Sequence, residues 1–190
     1  MAPRPDDLRT DLALLDRIAR GDSSAVGELY DRQGRMLYGL IFRILRDEGE
    51  AEDVLQEVFV RTWEKAETYD AQLGSPAAWL IRIARNRAID RLRARRARPI
   101  TEPDDALAEM PADTDAPSPE RSAALSEEQR AVAAALKQLP ADQRLLIEAA
   151  YFSGYTQSEL AAKFNIPLGT VKTRIRTGML TLREQLQHLV

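Results

Sequence analysis

The stretch Tyr155–Arg176, YTQSELAAKFNIPLGTVKTRIR, decides how this chain is read. Thr156 followed three residues later by Glu159 forms a capping box, in which each side chain satisfies an orphan backbone donor at a helix start. Leu160, Ala161 and Phe164 then supply an apolar stripe at helical spacing. Asn165 tolerates the left-handed backbone that closes a helix, and Pro167 restarts the chain at a first-turn position. The second helix carries Val171 and Ile175 on one face and Lys172, Arg174 and Arg176 on others. Gly169, Thr170 and Thr173 keep its leading end thin. A helix-turn-helix that enters a DNA major groove needs this layout of packed inner face, narrow N-terminal end and cations for phosphate. A plain helical hairpin with a solvated basic face has the same local pattern, so the rest of the chain must separate the two.

The chain has 190 residues, enough for one large or two small domains. It contains no cysteine, which removes disulfides and thiolate metal sites. No apolar run approaches the ~18 residues that a membrane span requires. The opening MAPRPDDLRTD lacks the apolar stretch of a secretory signal, so a cytoplasmic location is expected. A formal net charge of −3 speaks against a nucleic-acid binder. The distribution of charge reverses that inference. Arg82 to Arg98 holds eight arginines and one acid, Asp90, whereas Thr101 to Glu128 holds nine acids and one base, Arg121. Local field, rather than the average, steers a polyanion.

Upstream, the apolar spacing predicts a short helix over Asp7–Arg20, stopped by Gly21, with Asp22 or Ser23 capping the next. That next helix runs to about Leu45, through Val26, Leu29, Tyr30, Leu37, Leu40, Ile41 and Ile44. Arg46–Glu50 is expected as a polar break. A third helix over about Ala51–Glu67 turns Val54, Leu55, Val58, Phe59 and Thr62 inward, while Asp53, Gln56, Glu57 and Val60 share one face, expected to be exposed. Such a face is either simply solvated, with acids favoured near the helix N-terminus, or a docking surface for another protein. Tyr69–Ser75 reads as a loop, and Ser75-Pro76 starts a fourth helix, SPAAWLIRIARNRAIDRLRARRAR. Its cations, with almost no compensating acids nearby, point to a polyanionic partner.

Pro99–Glu120 is rich in proline and acid, and cannot bury enough apolar surface to offset its ordering entropy. The expected fold class is therefore all-α, with two small helical domains joined by a flexible acidic linker. The boundaries are 1–98, 99–121 and 122–190, and the C-terminal domain contains the helix-turn-helix. In that domain Leu125, Val132 and Leu136 mark one helix, Ala141–Phe152 another, and the last helix continues through Met179, Leu180, Leu182 and Leu186.

Two motifs in series resemble the extracytoplasmic-function (ECF) sigma factors, the minimal members of the sigma-70 family of bacterial transcription initiation factors. The first is AEDVLQEVFVRTWEKAETYD followed by SPAAWLIRIARNRAIDRLR; the second is LPADQRLLIEAAYFSGYTQSELAAKFNIPLGTVKTRIR. The resemblance covers nearly the whole chain outside the linker and the extreme ends. It implies that Asp53, Gln56, Glu57 and Trp63 bind the clamp coiled coil of the large subunit of core RNA polymerase. It implies that Tyr69–Arg93 reads the −10 promoter element, with an extruded base held by Asn86 and the loop Tyr69–Gly74, and with Arg82, Arg85 and Arg93 on phosphates. Trp79 belongs to this group or anchors the core. The helix from Leu168 is implied to read the −35 element, with Thr170 at its thin end, Lys172, Thr173 and Arg176 at base edges, and Arg174 and Arg183 on the backbone. Family members often carry another arginine or an aromatic where Thr177 stands, a departure at that step. Gly178 is expected to weaken the helix by about 1 kcal/mol relative to alanine.

The single histidine, His188, is expected in solvent, and neither a phosphate-cradling loop nor a metal-ligand cluster is seen. No cofactor, no metal and no catalysis are expected. The partners are core RNA polymerase, promoter DNA and, by resemblance, an anti-sigma factor; the linker would raise the effective concentration of the second DNA contact. The alternative is a helix-turn-helix regulator that never joins polymerase, which leaves Asp53–Trp63 and Arg82–Arg98 without a purpose.

Overall fold

The computed structural model describes residues 5–97 and 127–187. The described residues form two compact helical units, each with its own core, and no strand occurs among them. The predicted linker, Leu125 and His188 lie outside the described residues.

The first unit holds α1 (Pro5–Ala19), α2 (Ser23–Leu45), α3 (Glu48–Lys65) and α4 (Pro76–Ala97). Gly21, at φ +88°, ends α1, and the Asp22 carboxylate caps α2 by accepting from the Ser24 amide at 3.0 Å. Ser24 and Arg17 hold the Asp22 carboxyl down at about 2. The predicted polar break is shorter than expected. Only Arg46 and Asp47 interrupt the helices, because Arg46 adopts left-handed backbone (φ 56°) and Asp47 caps α3 by accepting from Glu50 at 2.8 Å. Leu29, Leu37, Ile41, Val54, Val58 and Leu80 are fully buried between these helices. Thr62, also fully buried, returns its hydroxyl to the Val58 carbonyl at 2.8 Å. Asp11 of α1 is a buried carboxylate whose charge is met by Arg32 Nε at 2.7 Å and Gln33 Nε2 at 2.6 Å.

The second unit holds α5 (Glu127–Gln138), α6 (Ala141–Tyr151), α7 (Gln157–Phe164) and α8 (Leu168–Gln185). Two apolar clusters sustain it. Ala135, Leu139, Ile147 and Leu182 join α5, α6 and α8, and Leu146, Ala149, Leu160 and Val171 join α6, α7 and α8. Val132, Met179 and Leu180, which mark the course of their helices in the sequence, lie in those helices and are 40–50% exposed. The capping box is present in both directions: Thr156 Oγ1 accepts from the Glu159 amide, and Glu159 accepts from the Thr156 amide at 2.6 Å. Asn165 is left-handed (φ 51°, ψ 47°) and its amide closes α7 on Ala161 and Ala162. Pro167 stands one residue outside α8, and its carbonyl receives the Thr170 and Val171 amides at 2.9 and 3.1 Å.

Gly178 has a packing role beside its expected propensity cost. It is buried, and a Cβ there would stand 2.6 Å from Ile147 Cδ1 and 3.3 Å from Gln143 Cβ. The missing side chain is what lets α8 lie against α6, so its propensity cost is offset by a close helix contact.

Candidate nucleic-acid and protein interfaces

Three surfaces carry the residues singled out from the sequence. The first lies on α3. Asp53, Gln56, Val60 and Trp63 are exposed along one side of the helix, Val60 at 58% and Trp63 at 41%. Exposed apolar groups beside a carboxylate and an amide make a surface suited to a partner with apolar and cationic groups.

Glu57 is not part of that free surface as expected. It is half-buried and turned toward α4. Arg87 Nε donates to Glu57 Oε2 at 3.0 Å, a second Arg87 nitrogen bonds the same oxygen, and Arg91 Nη2 donates to Oε1 at 2.8 Å. Burial by itself would push the Glu57 carboxyl up; the Arg87 and Arg91 guanidinium groups outweigh it and hold the carboxyl below its ordinary value. The row continues with Arg91 to Asp53 at 3.9 Å and Arg95 to Glu50 at 3.3 Å. Arg95 also donates to the Leu45 carbonyl at the end of α2, at 3.3 Å. Arg87, Arg91 and Arg95 therefore do have compensating acids, supplied by the neighbouring helix. The sequence carries the signal, since Glu50, Asp53 and Glu57 recur at i, i+3 and i+7 while Arg87, Arg91 and Arg95 recur at i, i+4 and i+8. Two complementary rows on adjacent antiparallel helices were there to be matched.

The second surface is a cleft of about 110 Å³ where the loop meets the start of α4, lined by Thr68, Tyr69, Asp70, Gly74, Trp79 and Arg82 among others. The loop is built from two short 3₁₀ turns, Ala66–Thr68 and Ala71–Leu73. Asp70 caps the second by accepting from the Gln72 amide at 2.8 Å, and Gly74 takes φ +140° to leave it. Tyr69 stands edge-on to Trp79 at 5.6 Å between ring centroids and donates its hydroxyl to the Gly74 carbonyl at 2.8 Å. Burial, helped by the Asp70 charge, raises the Tyr69 phenol, so the donor keeps its proton at neutral pH. Trp79 is only 9% exposed, and thus belongs to the core and to the cleft wall at once. Leu73, at 78%, stands out from the rim. Arg82, Asn86 and Arg93 are exposed at i, i+4 and i+11 along α4; Arg85 is half-buried beside them.

The third surface is the outer side of α8. Lys172, Arg176 and Arg183 are exposed at i, i+4 and i+11, with Thr173 and Thr177 beside them. Among the described residues these three cations form no ion pair. Arg174 points elsewhere, its Nε 2.9 Å from the Asp142 carboxylate of α6. The Thr173 hydroxyl proton is given to the Gly169 carbonyl at 2.9 Å, which leaves its methyl and lone pairs outward. Thr170 is half-buried at the head of the helix.

One helical unit thus presents an aromatic-walled cleft with cations along the same helix, and the other an exposed basic helix. Sigma-70 region 2 matches residues 29–98 and sigma-70 region 4 matches residues 135–184. The ECF RNA polymerase sigma factor SigK of Mycobacterium ulcerans (strain Agy99) is 39% identical over 180 residues, covering 95% of this chain and 94% of that protein. SigK of Mycobacterium tuberculosis (strain ATCC 25618 / H37Rv) is 37% identical, covering 94% and 95%. Among solved structures, Rhodobacter sphaeroides SigE in complex with the anti-sigma ChrR is 32% identical, covers 94% of this chain and 98% of that one, and superposes with a TM-score of 0.47. This chain belongs to the family of ECF RNA polymerase sigma factors.

Proposed function

We propose that this chain works as a sigma subunit that joins core RNA polymerase through Asp53, Gln56, Val60 and Trp63. It holds an unpaired base of the −10 element in the Tyr69–Trp79 cleft and reads the −35 element with Lys172, Thr173 and Arg176. Arg82, Arg85 and Arg93 serve phosphates near the cleft; Asn86 faces a base edge. Arg183 serves the backbone of the −35 site, and Arg174, tied to Asp142, reaches at most the backbone there. The clamp coiled coil of the large subunit is the proposed docking partner, and its basic groups would meet Asp53. An anti-sigma factor that masks these faces belongs to the same proposal through family membership, as does action in the cytoplasm. Among the described residues no helix is long and apolar enough to cross a membrane. The polymerase supplies the chemistry.

The observation that carries this reading is the coexistence of two open surfaces for nucleic acid and one open stripe for a protein on a chain that matches both sigma-70 regions. Transcription in vitro with purified core polymerase tests it. Initiation at discrete start sites that depends on this chain is the expected result. DNA binding by the chain alone, with no association with core polymerase, would replace it with the helix-turn-helix regulator.

A further inference from the structure

The acids of α3 fall into two kinds that the sequence does not distinguish. The Asp53 side chain is 68% exposed and 3.9 Å from its nearest cation, whereas Glu57 is 35% exposed with both oxygens bonded to guanidinium groups. Docking Glu57 onto a cationic partner would first break those bonds and leave Arg87 and Arg91, each about one-third exposed, without their shared acceptor. Glu57 is therefore poorly suited to be a contact and well suited to be a tie.

The helices it ties have different tasks under the function proposed above, on which this inference rests: α3 presents the polymerase stripe and α4 carries the base cleft and its cations. Apolar burial between them is non-directional. The α4 residues one turn from Arg87 and Arg91 on the same side are Ala84 and Ala88, both fully buried, whose single methyl groups interlock little with a neighbouring ridge. Directional bonds from two guanidinium groups to one carboxylate fix the rotation and register that such small side chains leave loose. We propose that Glu57, clasped by Arg87 and Arg91, is a positioning residue that locks the polymerase-docking helix to the strand-capturing helix, and is not itself a polymerase contact.

Breaking the clasp should then damage promoter opening while sparing polymerase affinity. The test uses the full chain, core polymerase and a promoter mapped by the transcription experiment described above. Glu57→Gln keeps side-chain shape and Arg87→Gln keeps a polar side chain while removing the guanidinium; circular dichroism checks that both remain helical, and Arg91→Gln, which leaves the Arg87 bonds in place, serves as a milder variant. Core affinity is read by polarisation of the labelled chain, and opening at saturating holoenzyme by fluorescence of 2-aminopurine in the −10 element. The expected result is affinity within about threefold of the native chain and opening reduced by about fivefold or more, the range of a coupling between two sites. The Glu57→Gln/Arg87→Gln pair should be no worse than Glu57→Gln alone, because Glu57→Gln already removes the bonds to both Arg87 and Arg91. A merely structural loss would lower both readouts together. If Glu57→Gln weakens core affinity as strongly as Asp53→Lys, or if the pair is additive because Arg87 itself holds DNA, the proposal is overturned.

A polymerase-free measurement separates this proposal from the sigma reading. The chain has no cysteine, so Glu52→Cys and Asp90→Cys, both at exposed positions, accept the only two spin labels, one on each helix. The distance distribution between them should be narrow in the parent and broad with Glu57→Gln. An unchanged distribution overturns the positioning role even if the native chain never binds polymerase, a result that would count against the sigma reading alone.

Discussion

Helices α4 and α8 look alike as strings of cations and differ in where the charge goes. On α4, Arg87, Arg91 and Arg95 close on Glu57, Asp53 and Glu50 of the adjacent helix. On α8, among the described residues, Arg174 is paired within the unit with Asp142, while Lys172, Arg176 and Arg183 face outward. Cation count is thus a poor measure of a nucleic-acid footprint. The neighbouring helix decides, because an acid at matching spacing turns a docking group into an internal bond. Under the proposed function, the α4 surface would engage DNA more by shape and aromatic edges, and the α8 surface more by charge.

The comparison requires two separately packed units, so the largest effects should come from their cores. Leu80 and Leu160 are both fully buried, one in each unit. Truncation of either to alanine should cost about 2–5 kcal/mol. Calorimetry should show Leu80→Ala lowering the transition of the first unit and Leu160→Ala that of the second. A single transition shifted by both variants would break the picture of independent scaffolds.

Gly178 gives the next effect. Helix propensity alone favours Gly178→Ala by about 1 kcal/mol, but overpacking against Ile147 and Gln143 costs about 1–3 kcal/mol. A net loss of stability in the second unit is expected, with partial recovery when Ile147→Val removes the Cδ1 that the new methyl meets. Stabilisation by Gly178→Ala alone would mean that Ile147 moves aside without strain.

On the α8 surface, Lys172→Ala or Arg176→Ala should each cost about 1–3 kcal/mol on promoters with the matching −35 sequence and little elsewhere. Arg174→Ala should cost less and act equally on every sequence. Binding titrations on matched and altered −35 duplexes check this. Uniform loss for all three residues would reduce α8 to a charged surface and erase its contrast with α4.

Much of this was legible beforehand, for identifiable reasons. The capping box at Thr156–Glu159, the left-handed Asn165 and the stop at Gly21 are local, so the residues concerned specify them without help from the rest of the fold. The exposure of Asp53 and Gln56 followed from helical spacing. What escaped depended on partners distant in sequence. Glu57 lies thirty residues before Arg87, and helical periodicity does not say which exposed face will meet another helix. The packing role of Gly178 escaped for the same reason, since it depends on Ile147 of another helix. Trp79 could be assigned to core or cleft, and in the fold it serves both.

The acid clasp also makes the first unit respond to pH in a definite direction. Because Arg87 and Arg91 depress the Glu57 carboxyl, its stabilising contribution is present above the ordinary glutamate value of 4.5. It is lost as pH falls through the depressed folded-state value. Native and Glu57→Gln chains should therefore differ in melting temperature at neutral pH and converge in strong acid. The side chain is about one-third exposed, so solvent screening keeps the difference small. A gap that persists unchanged to low pH would assign the effect of the substitution to packing rather than to charge.

The smallest effect belongs to the one ion pair within the described part of α8's own unit that involves a candidate DNA residue. Arg174 and Asp142 are 37% and 46% exposed, a setting in which such pairs contribute less than about 1 kcal/mol. Asp142→Asn should barely move the melting temperature, since Asp142 sits in the first turn of α6, where the neutral side chain loses only a modest interaction with the helix N-terminus. Its consequence for DNA is the sharper one. Freed from Asp142, Arg174 becomes available to a nearby phosphate, so affinity should rise slightly for every sequence and the dependence of binding on salt should steepen by up to about one counterion. Sequence preference should stay the same, because the added contact is to backbone. If Asp142→Asn instead sharpened or shifted the preferred −35 sequence, Arg174 would be a base-reading residue held in check by its own scaffold, and the α8 helix would allocate its cations more as α4 does.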